Sequence, residues 1–244
     1  MSERIILTDL DEQMQEAVAD TRRRVAALHA ELPRWGLVVW TAGNVSERVV
    51  VDRGDGPVKT DLFVIKPSGV SYDELTAETM VVCTLDGEKI DDGTPASLTP
   101  SSDTAAHAYV YRHRSDVGGV VHTHSPYATA WAARRQPIPC ALTMMGDEFG
   151  GDIPIGPFAL IGDDSIGRGI VETLEGSRSP AVLMANHGPF TVGKDARDAV
   201  KAAVMCEEVA RTMSIAEQLG DVKPIPADMV DRLNDRYQHV YGQH

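Results

Sequence analysis

The chain has 244 residues, 43% of them hydrophobic, and its 23 basic against 36 acidic side chains give a net charge of −13. With a mean hydropathy of −0.18, that composition excludes a disordered or fibrous chain and fits one globular α/β or α+β domain over residues 1–244. So acidic a surface repels phosphate backbones, and the densest basic run, Arg22 to Arg24, reads as a solvated helix face, so nucleic acid is not an expected partner. No apolar run approaches the ~20 residues that span a bilayer, and Met1–Leu10 lacks a basic start followed by an apolar stretch. A cytoplasmic protein with no membrane partner is expected. Cys83, Cys140 and Cys206 are far apart and form no CxxC, so they read as buried, reduced packing residues.

In chain order, Leu10–Leu32 has helical spacing and stops at Pro33. Val38–Trp40, Val49–Asp52 and Leu62–Ile65 are β-prone runs separated by turn residues, which suggests an antiparallel meander. Met80–Thr84 reads as a strand with Asp86-Gly87 as a hairpin turn before Glu88–Ile90. A helix over Ser102–Arg112 is followed by a strand over Gly119–Thr123 and a helix of small residues over Tyr127–Ala133. After an extended piece at Ile138-Pro139 come a helix over Ile166–Leu174, a buried strand over Ala181–Ala185, a long helix over Ala196–Leu219 and a last one within Pro226–Tyr241. The pattern predicts a single sheet covered by helices.

His122 and His124, in VVHTHS, are two apart at the end of a strand-like run, so both imidazoles can project to one face. Imidazole suits zinc and other divalent transition metals, and two such ligands need a third; His187, in ANHGPF after the apolar strand, is the candidate. A pair of hydrogen-bonded strand-end histidines explains the HxH equally well. Ser101, Ser102 and Asp103 fall at a helix start, where they can make an anion pocket, complete a metal site or simply cap. Asn44 in TAGNVS and Lys66 and Ser68 in IKPSGV carry an amide, a positive charge and a hydroxyl suited to a phosphate monoester, although each loop alone is also an ordinary turn. No nucleotide-binding glycine motif occurs. Asp147, in a glycine-flanked segment expected to be an exposed, mobile loop, and Tyr241, in the tail, form a plausible acid/base pair or else a loop residue and a tail anchor.

Taken together and in this order, TAGNVS, IKPSGVS, PSSDT, VVHTHS and NHGPFxVGK resemble the class II aldolase/adducin family. Within it the pattern is more similar to the L-ribulose-5-phosphate 4-epimerases than to the L-fuculose-phosphate aldolases: Asp103 stands where the aldolases carry glutamate, the Asp147 segment matches a catalytic aspartate, and the chain closes in YGQ. The resemblance implies a three-layer α/β/α fold with a central, mostly antiparallel sheet, assembled as a C4 homotetramer with active sites between subunits. It implies that His122, His124 and His187 bind zinc or another divalent transition metal, with Asp103 as a ligand or nearby base. Asn44, Lys66, Ser68, Gly69, Ser101 and Ser102 would hold the phosphate of a small sugar phosphate, and Asp147 and Tyr241 would cross the interface as acid/base groups. The implied reaction is retro-aldol cleavage and re-formation of C3–C4 between L-ribulose 5-phosphate and D-xylulose 5-phosphate, with aldolase chemistry on another short ketose phosphate as the alternative. A non-catalytic, adducin-like interaction domain has no use for three convergent imidazoles. The segment TMMGDEFGGD departs from many epimerases, with Met145, Gly146 and Glu148 around Asp147 in place of a histidine and an aromatic residue, and His244 extends the tail.

Overall fold

The computed structural model describes residues 5–240. Asp11 starts helix α1 (Glu12–His29) by accepting the Met14 backbone N–H at 2.9 Å, and Val18, Thr21, Val25 and His29 form its buried stripe. Arg22 and Arg24 on this helix are more than a solvated face, because they pair with the buried carboxylates of Asp92 (2.9 Å) and Glu47 (2.7 Å). Pro33 falls inside a single further turn, α2 (Glu31–Arg34).

The expected strand at Val38–Trp40 does not form: Val39 and Trp40 are 73% and 84% exposed, and Trp40 has φ 58°. β-Propensity expresses packing on a half-buried pleated surface, and only Leu37, just before this run, and Val38 at its start pack against the core. Strands β1 (Asn44–Asp52) and β2 (Pro57–Ile65) are antiparallel, and the Asp52 carboxylate accepts the N–H groups of Gly54 and Gly56 across the turn between them. Strand β3 (Val81–Thr84) pairs with β2 and turns at Gly87, after which Glu88–Ile90 returns along it.

Helix α3 (Thr104–His113), strand β4 (Gly119–His122), helices α4 (Pro126–Arg134) and α5 (Thr143–Phe149) and the short strand β5 (Ile155–Gly156) follow. Helix α6 (Ser165–Leu174), strands β6 (Ala181–Met184) and β7 (Gly188–Gly193), and helices α7 (Ala196–Leu219) and α8 (Ala227–His239) complete the described chain. Strand β7 was not expected. The sheet runs β3-β2-β1-β4-β7-β6-β5, every neighbouring pair antiparallel except β5 with β6. It is the predicted mostly antiparallel sheet, with one parallel edge.

Alternation along the strands sends side chains to two helical layers. Phe63 and Ile65 of β2 pack with Val120, Phe190 and Val192 against α3 and α6, whereas Leu62 and Val64 pack with Val45 and Val121 against α1 and the first half of α7. A third cluster joins α4, α5, the second half of α7 and α8 around Trp131, Phe149 and Met213. Cys83, Cys140 and Cys206 are free and buried, and burial pushes each thiol up, Cys83 to about 12. No helix among the described residues is long and apolar enough to cross a membrane.

The contact of β4 with the start of α7 depends on Gly119, where an added Cβ would lie 2.3 Å from the carbonyl carbon and oxygen of Asp195. Backbone on both sides leaves no side chain to give way. Gly119→Ala is therefore expected to destabilise the protein by about 3 kcal/mol in urea unfolding, and a loss under about 0.5 kcal/mol, the range of an ordinary surface change, would show that the contact is slack.

Candidate active site

His122 is the last residue of β4, stacked on Phe190 of β7 at 4.1 Å with the rings 14° apart. The strand stops there, so His124 lies beyond it, exposed between the buried Thr123 and Ser125 on the link into α4, where Pro126 occupies the first turn. His187 stands in the tight turn from β6 to β7, its N–H donated to the Met184 carbonyl. Ring centroids are 4.7 Å apart for His122 and His124, 4.5 Å for His122 and His187 and 5.4 Å for His124 and His187. One potential ligand atom from each of the three lies within 4.8 Å of the other two.

The site is chemically prepared for a cation. His122 Nδ1 donates to the Pro189 carbonyl at 3.0 Å, because a carbonyl can only accept, and that leaves the proton-free Nε2, buried and without a partner, as a lone-pair donor. Among the described residues neither ring nitrogen of His187 has a partner either. Burial drives His122 down to about 3, against the opposing pull of Asp103, and burial also lowers His187. Both imidazoles are neutral at pH 7, the state in which they ligate metals. The residues fit a divalent transition metal with nitrogen ligands.

Asn44 pairs in register with His122 across β1 and β4, which brings the TAGNVS segment to the triad. Its amide nitrogen donates to Ser101 Oγ (2.9 Å) and Asp103 Oδ2 (2.8 Å). Asp103 occupies the cap position of α3 yet makes no capping bond, so its carboxylate is spent on the site rather than on the helix. Burial alone would raise its pKa, but the combined influence of His122, His107, the Asn44 bond and His187 holds it below the usual carboxylate range. Asp103 is not part of the three-imidazole group itself, and its Oδ1 is buried without a partner.

Lys66 is 2% exposed, and burial lowers its pKa to about 8. Its Nζ donates to the carbonyls of Thr41 and Pro67, so the charge lies beneath two loops and ties them together. The Lys66 carbonyl accepts the Ser101 N–H and the Thr99 carbonyl accepts the Ser68 N–H, which sets the IKPSGV and PSSDT segments side by side. Ser68, Gly69 and Ser102 are exposed along this edge, with Gly69 in the left-handed region at φ 70°. Asn44, Lys66, Ser101 and Asp103 are thus joined by hydrogen bonds, and Ser68, Gly69 and Ser102 adjoin them along the chain.

Asp147 is not in a mobile loop. It lies half-buried in α5, and its carbonyl accepts a hydrogen bond from Asn234 of α8. The flanking glycines have other purposes: Gly146 lets Leu233 approach, since a Cβ there would meet its side chain at 2.7 Å, and Gly150 ends the helix at φ 60°. No hydrogen bond or ion pair among the described residues links Asp147 to the imidazoles. Tyr241 lies outside the described residues.

Sequence reasoning missed Pro189, which orients His122, Phe190, which backs it, and His107. His107 is fully buried on α3, with Nδ1 2.7 Å from Ser46 Oγ and Nε2 unpartnered. Its spacing four residues after Asp103 was the available signal.

Three imidazoles at the end of a mostly antiparallel sheet, beside a polar cradle, make a group that could hold a metal ion in an enzyme's active site. Residues 23–214 match the family model of the Class II Aldolase and Adducin N-terminal domain, and the chain belongs to that family. An L-ribulose-5-phosphate 4-epimerase, UlaF, of Salmonella paratyphi C (strain RKS4594) is 43% identical over 208 residues, covering 80% of this chain and 84% of the relative. The same holds for the UlaF protein of Salmonella choleraesuis (strain SC-B67). Among solved structures, an L-fuculose 1-phosphate aldolase superposes with a TM-score of 0.79 at 25% identity, covering 90% of this chain and 96% of that one. YgbL of Klebsiella pneumoniae gives 0.72 at 28% identity, with 89% and 99% covered.

Proposed function

We propose that the chain, acting as a single domain in the cytoplasm, is a zinc-dependent L-ribulose-5-phosphate 4-epimerase. The observation that carries the reading is the convergence of three imidazoles within 4.8 Å next to the Asn44–Asp103 cradle; the 43% identity to UlaF supports the substrate. Zinc held by His122, His124 and His187 supplies Lewis acidity at the ketose oxygens.

The protein's own residues do the rest. Lys66, beneath the cradle, provides a fixed positive charge, and Asn44, Ser68, Gly69, Ser101 and Ser102 hold the substrate phosphate and so fix which carbons face the triad. Asp103 stays ionised beside the imidazoles as a ligand or base. Breaking C3–C4 requires the C4 hydroxyl proton to be taken up, and inverting C4 requires the aldehyde half to turn, to be attacked by C3 on its other face so that C3–C4 re-forms, and to have the new C4 alkoxide protonated. Two groups are therefore needed on opposite faces, and Asp147 and Tyr241, delivered by an adjacent subunit of a homotetramer, fill those roles. An aldolase on another short ketose phosphate is the second reading, favoured by the altered residues around Asp147 and by the likeness to the fuculose-phosphate enzyme.

NMR of zinc-loaded protein with L-ribulose 5-phosphate, beside a chelator-treated sample, separates them. D-Xylulose 5-phosphate should grow only with metal; dihydroxyacetone and glycolaldehyde phosphate without the epimer mean an aldolase, and no reaction removes this substrate. In the same assay Asp147→Asn should slow turnover by about 100-fold or more at unchanged zinc content. Wild-type turnover would remove Asp147 from the acid/base pair.

A further inference from the structure

Three residues other than glycine take a left-handed backbone among the described residues: Trp40, Arg135 and Asn186, at φ 58°, 54° and 60°. Two of them touch. Arg135, the residue that ends α4, donates its Nε to Asn186 Oδ1 at 2.6 Å. The backbone N–H groups of both residues converge on one acceptor, the Ala132 carbonyl, at 3.1 Å from Arg135 and 3.0 Å from Asn186. Side chain and main chain together tie the end of α4 to the turn that carries His187.

A side chain as large as arginine is disfavoured in this conformation and stays there only where its surroundings hold it. Burial does not account for it, since both residues are exposed. Nor does an ion pair: the neighbouring Arg134 pairs with Glu217 and lies over Trp131, whereas Arg135 has no carboxylate partner among the described residues. His187 differs from His122 in the same respect that makes the clasp useful. The ring of His122 is fixed by the Pro189 carbonyl and by Phe190 stacked on it, but no hydrogen bond from the described residues holds either nitrogen of His187. Its direction is set by the backbone of the turn, and the residue before it is held by Arg135.

We propose that Arg135 and Asn186 are positioning residues that act through His187, holding its imidazole in the triad before any metal arrives. The inference rests on the reading that the triad binds a divalent metal.

Asn186→Gly and Arg135→Gly test it, because glycine keeps the left-handed backbone and removes only the side-chain bond. Zinc affinity is measured by competition with a chromogenic chelator, with the visible spectrum of the Co2+-loaded protein as a record of ligand geometry. Urea unfolding of the metal-free proteins is followed in parallel. Each variant should raise the zinc Kd by about tenfold, the lower end of what partners behind a metal ligand contribute, and should shift the cobalt spectrum at near-unchanged stability. The double variant should be no weaker than the weaker single one, and Asn186→Asp, which keeps the acceptor, should restore affinity. A Kd within twofold of wild type, fully additive losses, or failure of Asn186→Asp to restore binding would overturn the clasp. His187→Ala separates the two levels of the argument. If it binds zinc as the wild type does, the triad reading falls and the clasp with it; if it loses zinc while the clasp variants bind normally, the clasp alone is wrong.

Discussion

His124→Ala is expected to abolish stable metal binding and to lower turnover by at least about a thousandfold, about 4 kcal/mol of transition-state stabilisation. His124 is the informative member of the triad because it lies exposed beyond the end of β4, so its loss opens no cavity. His122, stacked on Phe190 and bonded to Pro189, is a poorer choice, since its removal damages the core as well as the site. Metal content after dialysis, turnover and the unfolding midpoint are measured together. An unchanged midpoint with metal and turnover both gone fits the assignment; retained turnover in metal-analysed protein would remove His124 from the ligand set.

The second large effect is on acid stability. His29 and His107, neither of them in the triad, are fully buried, and burial lowers their pKa to about 3 and about 4. His29 is locked as the neutral ring: Nδ1 donates to the Val25 carbonyl at 2.7 Å and Nε2 accepts the Val45 N–H at 3.0 Å, so a second proton has nowhere to go. In the unfolded chain both titrate near 6.5. Above that pH neither state takes up a proton and the native contacts are intact. Below it the unfolded chain binds protons that the native protein refuses, so stability falls as pH drops from about 6.5 toward the native values. Each histidine contributes about 1.4 kcal/mol per pH unit in that window, so the pair contributes about 3 kcal/mol per unit, against a typical total of 5–15 kcal/mol. Urea midpoints at pH 7.5, 6 and 5 should fall steeply, and His29→Gln, which can still donate and accept, should lower the slope of stability against pH by about 1.4 kcal/mol per unit. A flat profile would mean that these rings are not held neutral.

The long, uninterrupted patterns were legible in the sequence. Helix α7 spans the residues expected of it, and the apolar runs before His122 and His187 are β4 and β6. The elements that escaped begin or end at residues normally read as punctuation. Gly188-Pro189 opens β7, where the absence of a side chain is required because a Cβ would lie 2.6 Å from the Thr123 carbonyl oxygen. Gly146 and Gly150 disguised α5 as a loop for a similar reason: a close approach and a helix end look alike in one dimension. The pairing of His122 with His124 was anticipated, but the geometry differs, since the strand ends between them and the link into α4 brings the second ring round. Lys66 was readable as a charge and not as a tie between loops, because one of its carbonyl partners, Thr41, lies 25 residues earlier in the chain. Phe190 behind His122 belongs to the same class of fact, a stacking contact that depends on two strands meeting.

Strand β4 has a position in the sheet that bears on when the site comes into being. It is the seam between a half built from β1, β2 and β3, close together in sequence, and a half built from β7, β6 and β5, and the contact that orients His122 spans 67 residues. A chain still folding can offer the two histidines of HTH early, but not the third, nor the Pro189 carbonyl, until β7 has docked on β4. Closing so long a loop is an entropic burden that the first half of the sheet does nothing to relieve. A cation captured by all three imidazoles would therefore discriminate against every partly assembled form and favour the completed one, by about 2.7 kcal/mol at a hundredfold excess over its Kd. Ligand capture would then act as a late checkpoint, registering that the two halves of the sheet have joined.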